Sequence, residues 1–266
     1  MKVILVGIGC VSLPPSLSRF NIKPSGATCS GKTTLAKHIN NILPDSVIIH
    51  QDDFAPPQEL VPIHPIHGVQ DWDAAPGAIS WPRLIDFLRD VKSTGKIPPD
   101  HRSHDHLNEQ KQLKLDGDVK AKWIHEFAEL KQQREAAGLE QIVWGLVDGF
   151  LLYWHPEVIQ QLDVRIFLRV PHDTLKQRRH ERHGYHTAVQ SDPEGTLWRD
   201  PPHYWEEIVY PAYLEAHKDV FETGDVENGK PVSKVEELLV LETLKMDIGE
   251  AFDRCCQKLK EAAGKS

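Results

Sequence analysis

After Lys2 the chain runs Val3-Ile4-Leu5-Val6-Gly7-Ile8 without a polar side chain. A strand with one wet face would alternate. An unbroken apolar run predicts a central parallel strand covered on both faces. Similar runs occupy residues 46–50, 142–148 and 164–168, and residues 237–241 predict a last strand. Between them the spacing turns helical. Residues 81–93 place Leu84, Ile85, Leu88 and Val91 on one face. A helix is expected from the glycine-rich stretch at residue 26 to about Leu43. Residues 120–137 read as a charged, solvated helix and residues 172–182 as a basic one. Residues 204–218 read as a helix that Pro211 must kink or divide, and residues 246–259 as a terminal helix. Strands alternating with helices predict an α/β fold, a parallel sheet with helices on both faces. Two stretches fit this pattern poorly. Residues 9–25 carry Pro14, Pro15 and Pro24 and little periodicity. Residues 95–117 are polar, with Pro98 and Pro99, and open a polar insert expected at about 95–141. The remainder reads as a single domain over residues 1–266.

Composition narrows the class. The 266 residues are 40% hydrophobic and 26% charged, which are globular proportions. Lys plus Arg is 31 and Asp plus Glu is 39, giving a net charge of −8. That balance argues against a general nucleic-acid binder while leaving room for a local basic pocket. No apolar run approaches the ~20 residues that span a bilayer. Cys10, Cys29, Cys255 and Cys256 show no metal-site spacing, and the adjacent pair is badly placed for a mutual bond. A reducing compartment is expected, cytoplasmic with nuclear access open.

Chemistry enters at Gly26-Ala27-Thr28-Cys29-Ser30-Gly31-Lys32-Thr33, which fits G-x-x-x-x-G-K-[ST] in full. Polyphosphate has to be met at close range by backbone N–H groups, and glycines permit that path. The following helix adds the partial positive charge of its N-terminus. Lys32 can reach the β and γ phosphates of ATP, and the Thr33 hydroxyl can bind Mg²⁺. Thr34 continues the same turn. Asp148 closes the strand Leu146-Val147-Asp148, where a carboxylate can hold the metal. These features point to a P-loop nucleotide-binding fold, and the kinase form of it rests on the residues that follow.

Other residues are weaker alone. Asp52 and Asp53 follow the strand at residues 46–50, whose carboxyl end faces the ligand crevice of such a sheet. A carboxylate there can take a hydroxyl proton during phosphoryl transfer. It can equally be a turn or a cap. Asp71-Trp72-Asp73 joins an aromatic face to carboxylates and could grip a flat cationic ring and a ribose, although a turn with one anchoring Trp is the plainer reading. Arg178, Arg179 and Arg182 lie on the basic helix, with Arg178 and Arg182 sharing a face. They could clamp phosphates as a lid or simply face solvent. His101, His104 and His106 have no fixed fourth ligand and read as a solvated loop rather than a metal site.

Taken together, Ser25 to Lys37, Gln51-Asp52-Asp53-Phe54 and Asp148-Gly149-Phe150-Leu151-Leu152 resemble the nicotinamide riboside kinases, small P-loop metabolite kinases related to uridine kinases. The resemblance covers most of the chain apart from residues 9–24 and about 95–141. It implies transfer of phosphate from ATP, with Mg²⁺, to the 5′-hydroxyl of nicotinamide riboside, and of nicotinic acid riboside as a further substrate, in NAD salvage. Small molecules are then the partners, with neither nucleic acid nor membrane. It implies that Asp52 and Lys32 are catalytic and that residues 26–34, with Arg178 and Arg182, bind ATP. Asp52, Trp72, Asp73, Arg179 and Tyr185 would hold the nucleoside, with Tyr185 matched only through a one-residue insertion. Thr33 and Asp148 would hold the metal, Asp148 standing where the family commonly has Glu.

The departure is residues 9–24. Their removal joins Gly7-Ile8 to Ser25-Gly26-Ala27-Thr28 and restores the family pattern. Val11-Ser12 is also the translation of an in-frame GTAAGT, a splice-donor sequence. The segment therefore reads as a retained intron or a gene-model error with no pattern that would pack. Two alternatives stand beside the nicotinamide riboside kinase reading. One is another small-metabolite kinase of the same fold, such as a uridine kinase. The other is an inactive nucleotide-binding protein acting through a partner.

Overall fold

A computed structural model describes residues 1–13, 30–108, 114–182, 184–187, 189 and 192–265. Five parallel strands form the sheet: β1 (Lys2–Leu13), β2 (Ser46–His50), β3 (Ile142–Asp148), β4 (Val164–Pro171) and, near the chain end, β7 (Leu239–Glu242). Their order is β2-β3-β1-β4-β7. β1 is central, pairing with β3 over Lys2↔Ile142 to Ile8↔Asp148 and with β4 over Val6↔Val164 to Leu13↔Pro171. Chain order reverses on either side of β1, so a ligand crevice opens at the carboxyl ends of β1 and β3.

Helices cover both faces, as the uninterrupted strands require. One face carries α1 (Lys32–Asn40), α4 (Gly117–Ala136) and α8 (Ile248–Gly264). From α8 come Ala251, Phe252, Cys255, Cys256, Leu259 and Ala263, spaced as one stripe. The other face carries α3 (Trp81–Thr94) and α5 (Pro156–Gln161), with the short helix α2 (Ala75–Ala78). A third cluster joins the basic helix α6 (His172–Glu181), through Leu175, to Tyr204, Trp205, Ile208 and Val209. The two-residue strands β5 (Tyr185–His186) and β6 (Leu197–Trp198) form an antiparallel pair beside it. Pro211 falls at the start of α7 (Tyr210–His217), which continues without a break from the preceding helical turn, so its missing N–H lies within a helical run. The wider turn Trp205–Val209 absorbs the offset before it.

Three expectations change. First, β1 does not stop at Ile8. Residues 9–13 keep register with β4, because β4 itself continues to Pro171 and offers backbone partners there. Gly9 permits this: a Cβ on it would lie 2.7 Å from Tyr153 Cε2. The Tyr153 hydroxyl accepts from Ile166 N–H and donates to Gly7 O, both at 2.9 Å, and so fills the seam between β1 and β4. The start of the anomalous segment thus packs, contrary to expectation; residues 14–24 lie outside the described residues.

Second, α4 is a charged and mostly exposed helix, as expected, but it is also docked on the sheet. It buries Trp123 and Phe127 against the sheet and α8. Trp123 Nε1 donates to Asp253 at 2.9 Å, and Arg134 caps the carbonyls of Glu140 and Ala263. Two large aromatics in an otherwise charged helix are enough to fix it. Third, the histidines of the stretch before α4 are not all solvated. His104 is buried, and His101 stacks on Phe54 with ring centroids 5.5 Å apart. The carboxylate that draws them in is described below.

Candidate active site

The carboxyl ends of β2 and β3 and the start of α1 meet at one cleft of about 250 Å³. Gly31 adopts φ 90° immediately before α1, a conformation open to glycine at little cost. It turns the chain so that Lys32 and Thr33 face the cleft. Lys32 Nζ donates to Ser30 Oγ at 3.5 Å. Thr33 Oγ1 donates to Asp148 Oδ2 at 2.5 Å. His50 Nδ1, from the end of β2, lies 3.3 Å from the same oxygen. Burial pushes the Asp148 carboxyl up, but the His50 bond, the Lys32 charge and Thr33 outweigh it and hold it below its ordinary value. On His50 burial opposes charge, yet Asp148, with Asp105 and Asp53, raises its pKa.

A metal ion bound by Thr33 and Asp148 fits this arrangement. Both donors are oxygens, as Mg²⁺ prefers. The second carboxylate oxygen, Asp148 Oδ1, is buried with no hydrogen-bond partner among the described residues. Such an orphan is costly unless something fills the place.

Residues 51–54 form one tight turn after β2, and its side chains part company. Gln51 turns inward and accepts from Leu151 N–H at 2.9 Å, fixing the β3 exit. Asp52 points into the cleft, open to its water but surrounded by protein. Burial among these walls and the nearby Asp148 charge raise its pKa, more than Lys32, Arg182 and His50 lower it. Asp53 turns to the segment before α4. It is buried, accepts from His104 N–H at 2.9 Å, and sits 3.6 Å from His101 Nε2. Burial raises its pKa, and the His101 and His104 bonds then bring it below the ordinary value.

The far end of the cleft is aromatic and acidic. Arg179 of α6 reaches Asp73 with both terminal nitrogens, at 3.1 and 3.3 Å. Its Nε and one terminal nitrogen donate to Asp200 at 2.6 and 3.1 Å. Burial lowers the arginine pKa, but Asp73, Tyr185 and Asp200 raise it well above its ordinary value, so it stays charged. Asp73 shifts up through burial, with Asp200 opposing the relief that Arg179 gives. The Tyr185 ring lies under both Arg179 and Arg182, at 4.9 and 3.8 Å. Trp72 and Trp198 are tilted rings 6.0 Å apart. Tyr204 hydroxyl accepts from Trp72 N–H at 3.1 Å and donates to Gln70 O at 2.9 Å, which fixes the turn carrying Trp72 and Asp73.

The structure thus brings Ser30, Gly31, Lys32, Thr33, Asp52, Trp72, Asp73, Asp148, Arg179, Arg182 and Tyr185 to one cleft. Thr34 is buried behind it in α1. Arg178 lies on α6 but does not line the cleft. Gly26, Ala27, Thr28 and Cys29 lie outside the described residues. Sequence reasoning missed His50, Asp105, Trp198 and Asp200. Of these, only Asp200, in Trp198-Arg199-Asp200-Pro201, had a signal: an aromatic and a carboxylate before a Pro-Pro turn, the chemistry noticed at Trp72-Asp73.

No family model matches the chain. Curated relatives do. A nicotinamide riboside kinase of Schizosaccharomyces pombe is 32% identical over 212 residues, covering 79% of this chain and 84% of that protein. The chain belongs to the nicotinamide riboside kinase family. A member from Saccharomyces cerevisiae is 31% identical, over 76% of this chain and 79% of its own length. The human nicotinamide riboside kinase 1 is 24% identical over 77% of this chain and 79% of its own. The sheet order and the cleft at the end of β1 and β3 accord with membership of this family of kinases.

Proposed function

We propose that the chain is an ATP-dependent kinase that phosphorylates the 5′-hydroxyl of nicotinamide riboside, giving the mononucleotide used in NAD salvage. One observation carries the reading. Asp52 lines one cleft together with Lys32, Thr33 and Asp148, whose chemistry suits phosphate and metal, and with Trp72, Asp73, Arg179 and Tyr185, whose chemistry suits a nucleoside. A nucleoside held by the second group presents its hydroxyl to the first.

The 5′-oxygen attacks the γ-phosphorus and the bond from that phosphorus to the bridging β–γ oxygen breaks, so ADP leaves. The hydroxyl proton passes to Asp52, whose raised pKa makes it a better acceptor than an ordinary surface carboxylate. Lys32 and, from the lid helix, Arg182 face the charge that moves onto the phosphates. Thr33 and Asp148 would hold Mg²⁺. Bound there, the ion supplies positive charge that draws the β and γ phosphates into place. At the other end Trp72 and Tyr185 offer aromatic faces to the ring, which in nicotinamide riboside is cationic. Asp73, with Arg179 fixed beside it, offers acceptors to ribose hydroxyls. No helix among the described residues is long and apolar enough to cross a membrane, and a cytoplasmic site of action belongs to this proposal.

Formation of the mononucleotide from ATP and nicotinamide riboside is the test, with uridine as competitor and with two versions of the chain, one lacking residues 9–24. Turnover of nicotinamide riboside by either version supports the reading. Turnover of uridine alone would overturn it. If only the shorter version works, the retained-intron interpretation of residues 9–24 gains its support.

A further inference from the structure

The polar contacts behind the phosphate end close into a ring. Thr33 Oγ1 meets Asp148 Oδ2 at 2.5 Å, and Asp148 meets His50 Nδ1 at 3.3 Å. On its opposite nitrogen, Nε2, His50 faces Asp105 Oδ2 at 4.0 Å. Asp105 Oδ2 in turn accepts from Lys37 Nζ at 2.6 Å. Lys37 is one helical turn beyond Thr33 on α1, on the same face. The ring therefore begins and ends on the helix that follows the phosphate-binding loop.

Asp105 reaches this place because the segment before α4 is strapped across the cleft. Its hold is Asp53, which binds His104 N–H and lies beside His101, itself packed on Phe54 and Phe87. Beyond Asp105, Asn108 Oδ1 accepts from the β5 residue His186 N–H at 3.2 Å. His104, Asp105 and Asn108 all line the cleft. The adjacent carboxylates Asp52 and Asp53 thus do different work: one faces the reacting hydroxyl, the other anchors the strap.

We propose that Asp105 is a positioning residue of the phosphoryl-transfer site. It acts with Lys37 through His50 to hold Asp148 and Thr33 in the geometry that receives the metal. His50 is held to Asp148 through Nδ1 at 3.3 Å, and the Asp105 carboxylate 4.0 Å from Nε2 favours that orientation of the ring electrostatically. His50 stands one step behind the metal ligand Asp148, where loss of a partner typically changes metal affinity or activity by about 10–100-fold; Asp105, one step further back, is expected at the low end of that range. The inference rests on the metal role assigned to Thr33 and Asp148, and not on the identity of the nucleoside.

Mn²⁺ binding to the full chain in the presence of ADP, followed by electron paramagnetic resonance, tests it without turnover. Asp105→Ala should weaken Mn²⁺ binding about tenfold and lower kcat, leaving KM for the nucleoside within twofold. Asp105→Glu should recover part of the loss. In a His50→Ala background Asp105→Ala should add nothing, because its path runs through His50. Lys37→Met, on a half-exposed helix position that tolerates it, should shift Mn²⁺ binding in the same direction by a smaller factor. Unchanged Mn²⁺ affinity in folded Asp105→Ala, or full additivity with His50→Ala, would overturn the proposal. A lower melting temperature with unaltered affinity would also overturn it, by reducing Asp105 to a structural tie. If the unsubstituted chain binds no Mn²⁺ with ADP, the metal assignment falls and this proposal with it. If it binds Mn²⁺ but ignores nicotinamide riboside, only the substrate reading fails.

Discussion

Replacing Asp52 by Asn keeps the shape of the cleft floor and removes one proton acceptor. The two nearest carboxylates are engaged elsewhere. Asp53 is bound to His104 N–H, and Asp148 is engaged by Thr33 and His50. The full loss of general-base assistance is therefore expected, about 10²–10⁴ in kcat. At 1.36 kcal/mol per decade that is about 2.7–5.4 kcal/mol of transition-state stabilisation. Stability should move the other way. The folded protein raises the Asp52 pKa through burial and the repulsion of Asp148, so it favours the protonated form. Such a group contributes stability at low pH that is lost as pH rises through the raised folded-state value. Asn mimics the protonated form, so the melting temperature at neutral pH should stay level or rise. The assay is mononucleotide formation against pH, with thermal unfolding alongside. In the unsubstituted enzyme kcat/KM should climb through a pKa above the usual carboxylate range; in Asp52→Asn that limb should vanish. A kcat within tenfold of the original, or a loss that tracks a fall in melting temperature, would refute the argument.

Arg179→Met should leave Asp73 and Asp200 facing each other without their shared cation, costing about 3–5 kcal/mol in a urea titration; adding Asp73→Asn should recover part of that, and a cost no greater than for the exposed pair Arg254–Glu250 would contradict the buried geometry. Asp200→Asn should raise KM for the nucleoside more than it lowers kcat, because Asp200 fixes Arg179 and Trp198 without facing the reacting phosphate. Trp123→Ala should cost about 3–5 kcal/mol, a loss that a solvated insert would not show in thermal unfolding. Gly9→Ala should destabilise the chain by about 1–3 kcal/mol, since the added Cβ meets Tyr153; an unchanged melting temperature would mean that β1 ends before residue 9.

Much of the fold is legible along the chain because its cause is local. Short unbroken apolar runs bounded by turn signals favour buried strands, and β2 and β3 fall where those runs lie. Charge runs and proline clusters mislead for the opposite reason. Two aromatics decide the burial of α4, and a helix whose other positions are charged gives them little weight. β1 extends past Ile8 because β4 offers a partner, which no periodicity within residues 9–13 could announce.

The same division runs through the site. The sequence by itself supplied the G-x-x-x-x-G-K-T motif and the acids that end two strands, because each is a short local pattern whose chemistry follows from its spacing; that Arg179 meets Asp73 across 106 residues was not legible there. Tertiary structure alone decided which of Asp52 and Asp53 holds the segment before α4. It alone brought Asp105 to Lys37 and to the far side of His50, and placed Asp200 on Arg179. Those outcomes depend on where distant segments cross. A carboxylate in a polar loop acquires its role only when folding sets a cation or a histidine beside it.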